Sequence, residues 1–252
     1  MSYISQITLP NSNTYDIKDA NAINPNLLIN PDFSINQRGV TGAVAVGGYA
    51  ADMWKLESGT AEVLADGSIQ LNGTLSQKLE STPDGDLQCS VSAGTAAFSE
   101  GKFTITASGE RILWAKLEVG SKKTPFCPPD PALELLKCQR YFVRIKNNHA
   151  SSYAYNGTGF ILNATTAIIT LSLPAVMRIP KPTVTASGEN IPCIITPSTP
   201  VKTPIEATYS DRSAMLSNAI SLVFAISNGT AGEPAAFLLK PGSDYIDISA
   251  EL

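Results

Sequence analysis

Apolar residues along this chain come in short runs that alternate with polar ones, and clusters of Gly, Pro, Asn, Asp and Ser separate the runs. A period of two sets one side of a strand against a core and the other in water, so the pattern predicts β-strands. In the first half such runs cover residues 61–64, 68–71, 75–79, 87–92, 103–107 and 112–119. Asp66-Gly67, Asn72-Gly73 and Asp84-Gly85 are expected to turn the chain between them. In the second half the runs cover 141–145, 153–162, 167–173, 183–185, 193–195, 205–209, 220–226, 236–239 and 245–250. Pro174, Pro180 and Pro182 confine the stretch around them to an edge or a loop. Strands at this spacing predict an all-β chain built from stacked sheets.

One stretch departs from alternation. After the strand at Ile112–Val119, Gly120, Pro125, Pro128 and Pro129 stop both strand and helix. Asp130 then suits an N-cap and Pro131 the first helical position, with Leu135, Cys138 and Phe142 following at helical spacing. This divides the chain into a short segment over residues 1–25, a β-sandwich over 26–128 and a second β-sandwich over 129–252. The Pro-rich elbow and the short helix join the two, with Gly120, Pro125, Pro128 and Pro129 as the structural hinge. In the first segment, strands are expected at Ile7–Leu9 and Tyr15–Ile17, with a helical turn over Lys18–Ala22. Leu28, Phe33, Ile35, Trp54 and Leu56 are core candidates. Asn30-Pro31-Asp32 reads as a turn, and Arg38 and Asp52 as a structural ion pair.

Composition narrows the function. Of 252 residues, 43% are hydrophobic, enough for real cores, while only 16% are charged. A net charge of −4 and a pI near 5.1 argue against nucleic-acid binding, which needs a basic face. No apolar run reaches membrane-spanning length, and no signal peptide is expected at Met1–Pro10. Cys89, Cys127, Cys138 and Cys193 form no C-x-x-C pair, so they read as reduced thiols. Cys127 and Cys138 flank the elbow, at a spacing that lets them approach each other.

Little in the chain suits catalysis, and no catalytic residue, cofactor motif or metal site is assigned. The single histidine, His149, lies in a polar turn, where a catalytic triad has little to build on. Glu118, Glu134, Asp52 and Asp211 are the carboxylates a glycosidase pair would have to draw on, and nothing in their spacing brings two together. Glu118 is expected to face solvent or to pair near Lys116. Asn30, Asp32 and Glu118 are the oxygens a calcium ion would need, though no D-x-D-x-D-G loop frames them. Sugar binding asks for exposed aromatic faces beside amides. Tyr153, Tyr155, Asn156 and Phe160 meet that description in one loop-rich stretch; filling the second core is the competing reading.

Several phrases resemble the structural proteins of tailed-bacteriophage tail fibres and receptor-binding appendages. Trp114, Lys116, Leu117, Glu118, Gly120, Ser121, Thr124, Pro125 and Phe126 are similar to their W-x-K-L-E-x-G-S-x-x-T-P-F junction, and Leu136, Cys138, Gln139, Arg140 and Tyr141 to the L-x-x-C-Q-R-Y phrase after it. Asn30–Gly39 with Tyr49, Asp52 and Trp54 resembles an N-x-x-F-x-I-N-Q-R-G … Y-x-x-D-x-W opening, itself like the first strands of carbohydrate-binding-module jelly rolls. Leu173, Pro174, Met177, Arg178 and Pro182–Thr185 resemble a later phrase, and Ile246–Leu252 the usual ending. The resemblance implies jelly-roll-like sandwiches, a virion location and a homotrimer. It also implies attachment to other virion proteins through the N-terminal segment, and a bacterial surface polysaccharide as ligand, without nucleic acid or membrane insertion. For the N-terminal segment, an arm packed on its own domain is the alternative. For the whole chain, a purely structural capsid- or baseplate-decorating protein and a glycan depolymerase are the alternatives.

Overall fold

A computed structural model describes residues 6–8, 14–16, 23–147, 154–180, 182–186, 191–195, 200–203, 219–226, 229–239 and 245–251. Strands β1 (Gln6–Thr8) and β2 (Thr14–Asp16) pair antiparallel with Ile7 opposite Tyr15, the hairpin that alternation predicted. Its turn and the helical turn expected at 18–22 lie outside the described residues.

The first body contains β3 (Gly42–Val44), β4 (Tyr49–Ala51), β5 (Trp54–Val63), β6 (Ile69–Lys78), β7 (Leu87–Val91), β8 (Thr95–Ser99), β9 (Lys102–Ile112) and β10 (Ala115–Val119). One sheet runs β3-β5-β6-β9-β8, with β4 also on β5; β7 and β10 form the facing layer. The chain ahead of Phe33 extends that layer, with Leu27 N donating to Leu117 O and Ala115 N to Pro31 O. Alternate residues of both layers meet in one core. It holds Trp54, Leu56, Leu71, Leu75, Phe103 and Ile105 from the large sheet, and Ala115 and Leu117 from the small one. Leu28 and Phe33 fill it as expected, while Ile35 packs at its margin. Trp54 sits edge-on between Phe33 at 5.1 Å and Phe103 at 6.1 Å.

Two expectations fail here for identifiable reasons. Asn72-Gly73 is not a turn: β6 runs straight through it, with a bulge at Leu71/Asn72 on the β9 side. Gly73 lies opposite Gly59 of β5, and a Cβ on Gly73 would stand 2.1 Å from Ser58 O. Glycine serves close backbone approach at this crossing, not chain reversal. The strand expected over 112–119 is broken at Leu113-Trp114, because Ile112 ends β9 and Ala115 begins β10 in the other layer. Strands β3 and β8 carry no strong alternation. They form because a neighbouring strand offers them a ladder, which a local pattern cannot reveal.

Helix α1 (Pro131–Gln139) starts as predicted, with Asp130 Oδ1 accepting from Ala132 N at 2.9 Å and Leu133 N at 3.0 Å. Of the expected Leu135, Cys138 and Phe142, Cys138 and Phe142 are buried and Leu135 is half-buried, but Phe142 lies beyond the helix and Glu134 joins the buried face. Glu134 and Cys138 point inward, Leu133 and Leu136 are exposed, and Phe142 opens the next strand. Glu134 is drawn inside because its carboxylate accepts from the Asn30 backbone N–H at 2.6 Å and from Lys137 Nζ at 2.8 Å. Cys138 and Tyr141 pack into the first core.

The second body contains β11 (Phe142–Lys146), β12 (Ala154–Asn163), β13 (Thr166–Ser172), β14 (Thr183–Ala186), β15 (Ile191–Ile195), β16 (Pro200–Thr203), β17 (Ala219–Ala225), β18 (Pro234–Leu239) and β19 (Tyr245–Ser249). A six-stranded sheet runs β16-β15-β18-β12-β13-β17, and β11-β19-β14 covers it. Val143, Ile246 and Ile248 from the smaller layer meet Ile161, Ile169, Leu171, Leu222, Phe224 and Phe237 from the larger. The strand expected over 205–209 lies outside the described residues. The described chain is therefore all-β apart from α1.

Candidate functional site

The outer face of the six-stranded sheet follows directly from the pleat. Along β12, Ile161 points into the core while Thr158, Phe160 and Leu162 point out. Register places Phe160 opposite Pro234 on one side and Ile168 on the other, and Ile168 opposite Val223. Phe160, 47% exposed, is thus an open member of an apolar row across the sheet. The next row is Thr158, Thr170 and Ser221, with Thr170 and Ser221 hydroxyls 3.3 Å apart. An exposed ring beside a row of hydroxyls can stack an apolar sugar face and hydrogen-bond its hydroxyls. Of the four residues singled out earlier, Phe160 is on the surface and Asn156 is half-buried at the bulge between Tyr155 and Gly157. Tyr155 stands in β12 opposite Leu238, its side chain outside the description, and Tyr153 lies outside the described residues. Thr158, Thr170 and Ser221 were missed, although stepping by two from Phe160 finds Thr158; the other two need the register.

A second cluster centres on Arg38. Its Nη1 donates to Asp52 Oδ1 at 3.1 Å and its Nη2 to Glu251 Oε2 at 2.5 Å, so the expected Arg38–Asp52 pair is present. The guanidinium lies 3.6 Å from the Phe142 ring centroid and 4.3 Å from that of Tyr49. Gln37 Nε2 donates to Asp52 Oδ2 at 2.8 Å and to Phe142 O at 2.7 Å. Arg178 N donates to Arg140 O, and Ala250 N to Tyr141 O, closing the same junction. Burial raises the Asp52 and Glu251 carboxyls above their ordinary values, with Arg38 opposing the rise in both. The phrases around Arg38, Asp52, Arg140, Arg178 and Glu251, far apart in sequence, meet here as one buried polar seam between the cores.

The elbow is strapped onto the first body. Glu118 accepts from Thr124 N at 2.7 Å and from Thr124 Oγ1 at 2.5 Å. Lys116 Nζ bonds Pro125 O at 2.9 Å and lies 3.0 Å from Glu118 Oε2. Both side chains are 0% exposed, so of the two readings of Glu118 the pairing near Lys116 holds and the solvent-facing one does not. Lys116 and Glu118 lie on the face of β10 opposite Ala115 and Leu117, and their burial there is tolerated because the elbow covers them and satisfies their hydrogen bonds. Desolvation pushes the Glu118 carboxyl up, but the Thr124 bonds and the Lys116 ammonium outweigh it and hold it below the usual range. Trp114 stacks on Phe126 at 5.0 Å and 10°. Gly120 takes φ +150°, and a Cβ there would stand 2.9 Å from Asn24 Nδ2. Pro128 O accepts from Cys127 Sγ, and Pro125, Pro128 and Pro129 lie in irregular chain before α1.

The other candidate groups have structural partners or lie elsewhere. Asn30 closes its own turn, with Oδ1 accepting from Ile35 N and Nδ2 donating to Asp52 O; its carbonyl accepts from Trp54 Nε1. Asp32 Oδ1 accepts from Ser34, so Asn30, Asp32 and Glu118 turn their oxygens to separate partners. No group of three or more His, Cys, Asp or Glu suited to a metal ion occurs among the described residues. Cys89, Cys127 and Cys138 are free thiols; Cys127 is exposed and Cys138 buried, so the approach expected between those two does not produce a bridge. His149 and Asp211 lie outside the described residues. No protein-family model, curated protein or solved structure matches the chain.

Proposed function

We propose that this chain is a non-enzymatic structural protein of a tailed-phage virion, in a tail fibre or a head or tail appendage, and that it adheres to a bacterial surface glycan. The observation that carries the reading is the outward Phe160 beside the Thr158–Thr170–Ser221 hydroxyl row, a flat platform of the kind a sugar ring can stack on. One such platform binds weakly. A homotrimer would present three copies, and linked weak sites gain avidity without any new contact. The β1–β2 hairpin supplies the segment through which other virion proteins would be engaged.

The test is binding of the full chain to purified cell-wall polysaccharide and to a glycan array, with Phe160→Ala in parallel. Retention on polysaccharide that is lost in Phe160→Ala supports adhesion. Absence of glycan binding, together with tight binding to a capsid or baseplate protein, replaces adhesion by particle decoration. Release of reducing ends from the polysaccharide replaces it by hydrolysis.

A further inference from the structure

A cavity of about 420 Å³ opens beside the large sheet of the first body, within the size range of ligand sites. Its wall includes Lys55 and Glu57 of β5, Ser76 and Lys78 of β6, Lys102 of β9, and Tyr49, Glu100 and Glu251. Register sets Lys78 directly opposite Lys102 and Lys55 opposite Ser76. Two like charges facing each other across a ladder destabilise the sheet unless something negative joins them.

The carboxylates of the wall do so only in part. Glu57 is taken by Lys102 at 3.3 Å and by the Ser76 hydroxyl at 2.6 Å. The Ser76 bond first, then Lys102 and the more distant Lys55 charge, hold its carboxyl below the usual range. Glu251 is taken by Arg38. Among the described residues, neither Lys55 nor Lys78 has a carboxylate within ion-pair distance. The cavity thus offers two ammonium groups held in no ion pair among the described residues, Lys55 acting on Glu57 only through its longer-range charge, in a wall where the Glu100 carboxylate suits sugar hydroxyls. A bare polyanion such as nucleic acid meets repulsion from Glu57, Glu100 and Glu251. A neutral glycan leaves the lysines unmatched. A sugar chain carrying spaced acidic groups satisfies both sets.

We infer that the cavity between Lys55, Lys78 and Lys102 is a binding subsite for an anionic glycan, one bearing uronate or phosphodiester groups. This rests on the adhesion reading above and adds a ligand class and a second contact region, on a different body from Phe160. The anionic group sits between Lys55 and Lys78, and neighbouring hydroxyls reach Glu100.

The experiment is titration calorimetry of the full chain with oligogalacturonate, a poly(glycerol phosphate) oligomer, a neutral cello-oligosaccharide and inorganic phosphate. It is repeated for the Lys55→Gln/Lys78→Gln double variant. Both lysines sit on the outer side of the sheet, so the double variant is expected to keep the parent's urea midpoint. Binding of one anionic oligomer, weakened by added salt and about tenfold or more by the double variant, supports the subsite; a tenfold change is about 1.4 kcal/mol. Whichever anionic arm binds identifies the acid group. Equal affinity for the double variant, neutral binding as tight as anionic, inorganic phosphate binding as tightly as the oligomers, or no binding of either anionic oligomer overturns it. Cell-wall binding lost in Phe160→Ala but unchanged in the double variant removes the subsite and leaves adhesion standing. Cell-wall binding absent from the parent chain removes adhesion itself.

Discussion

Arg38→Lys isolates the buried seam between the two cores. The guanidinium serves two acids from two different nitrogens, Asp52 from Nη1 and Glu251 from Nη2, while stacked at 3.6 Å on Phe142. A lysine keeps the charge but presents a compact donor without the planar fork. It satisfies one acid and leaves the other. Asp52 retains Gln37 at 2.8 Å, so the loss falls on Glu251. Losing one charge-assisted hydrogen bond costs about 1.5–3 kcal/mol. Losing the ring stacking adds about 0.5–2 kcal/mol, since the site is only partly open. The expected penalty at neutral pH is therefore about 2–5 kcal/mol, read from urea unfolding. Glu251, already raised by burial, rises further when it loses the guanidinium bond, so the folded variant takes up a proton more readily. Its penalty then shrinks in mild acid, because uptake relieves the uncompensated charge. In a double-mutant cycle with Glu251→Gln, the two substitutions should couple by about 1 kcal/mol or more. A penalty under about 1 kcal/mol at neutral pH, or additive substitutions, would refute the seam as an energetic unit.

Further outcomes follow from other contacts. Gly73→Ala places a Cβ 2.1 Å from Ser58 O, so it should destabilise the first body by about 2 kcal/mol or more, read as a lower thermal midpoint. Glu118→Gln leaves Lys116 charged and sealed under the elbow, at a cost of about 3–5 kcal/mol in urea unfolding. The pH signs of Glu118 and Glu251 are opposite. The lowered Glu118 carboxyl contributes stability above its unfolded value near 4.5, lost as pH falls through the folded value, so Glu118→Gln should flatten the acid limb of a stability–pH profile. The raised Glu251 carboxyl favours the fold below that value and loses the contribution as pH rises through its folded value, so Glu251→Gln should remove a decline on the neutral side. Phe160→Ala, at a position 47% exposed, should shift unfolding by about 0.5 kcal/mol or less while removing glycan retention; a large loss of stability would mark Phe160 as a packing residue instead.

Most strands were legible because alternation is a local consequence of burying one face. The β10 run, the β12–β13 hairpin around Phe160 and the β19 run at Tyr245–Ser249 stand within a few residues of where periodicity puts them. So does the start of α1, since Asp130-Pro131 is a capping signal that acts over three residues. Local signals misled where a distant partner set the outcome. Asn72-Gly73 has the composition of a turn, yet Gly59 in the adjoining strand, opposite Gly73, makes it a crossing point. Glu118 reads as facing solvent or pairing near Lys116, and Glu134 only as a position on a short helix, yet Thr124 and Asn30 draw them inside. The cavity at Lys55, Lys78 and Lys102 was invisible, because its residues come from separate strands and only register brings them together.

The sequence alone determined the all-β class, the helix start, the core aromatics Phe33 and Trp54, and the pairing of Arg38 with Asp52. Each of these depends on pattern or on strong side-chain preference near in the chain. Only the tertiary structure decided that Phe160 faces outward beside hydroxyls from two other strands, and that Lys116 and Glu118 are covered by the elbow. It also decided that phrases as far apart as Arg38, Arg140, Arg178 and Glu251 close one seam. The reason is physical: alternation says which residues share a face of one strand, while contact between faces depends on strand order and register, set by packing summed over the whole chain.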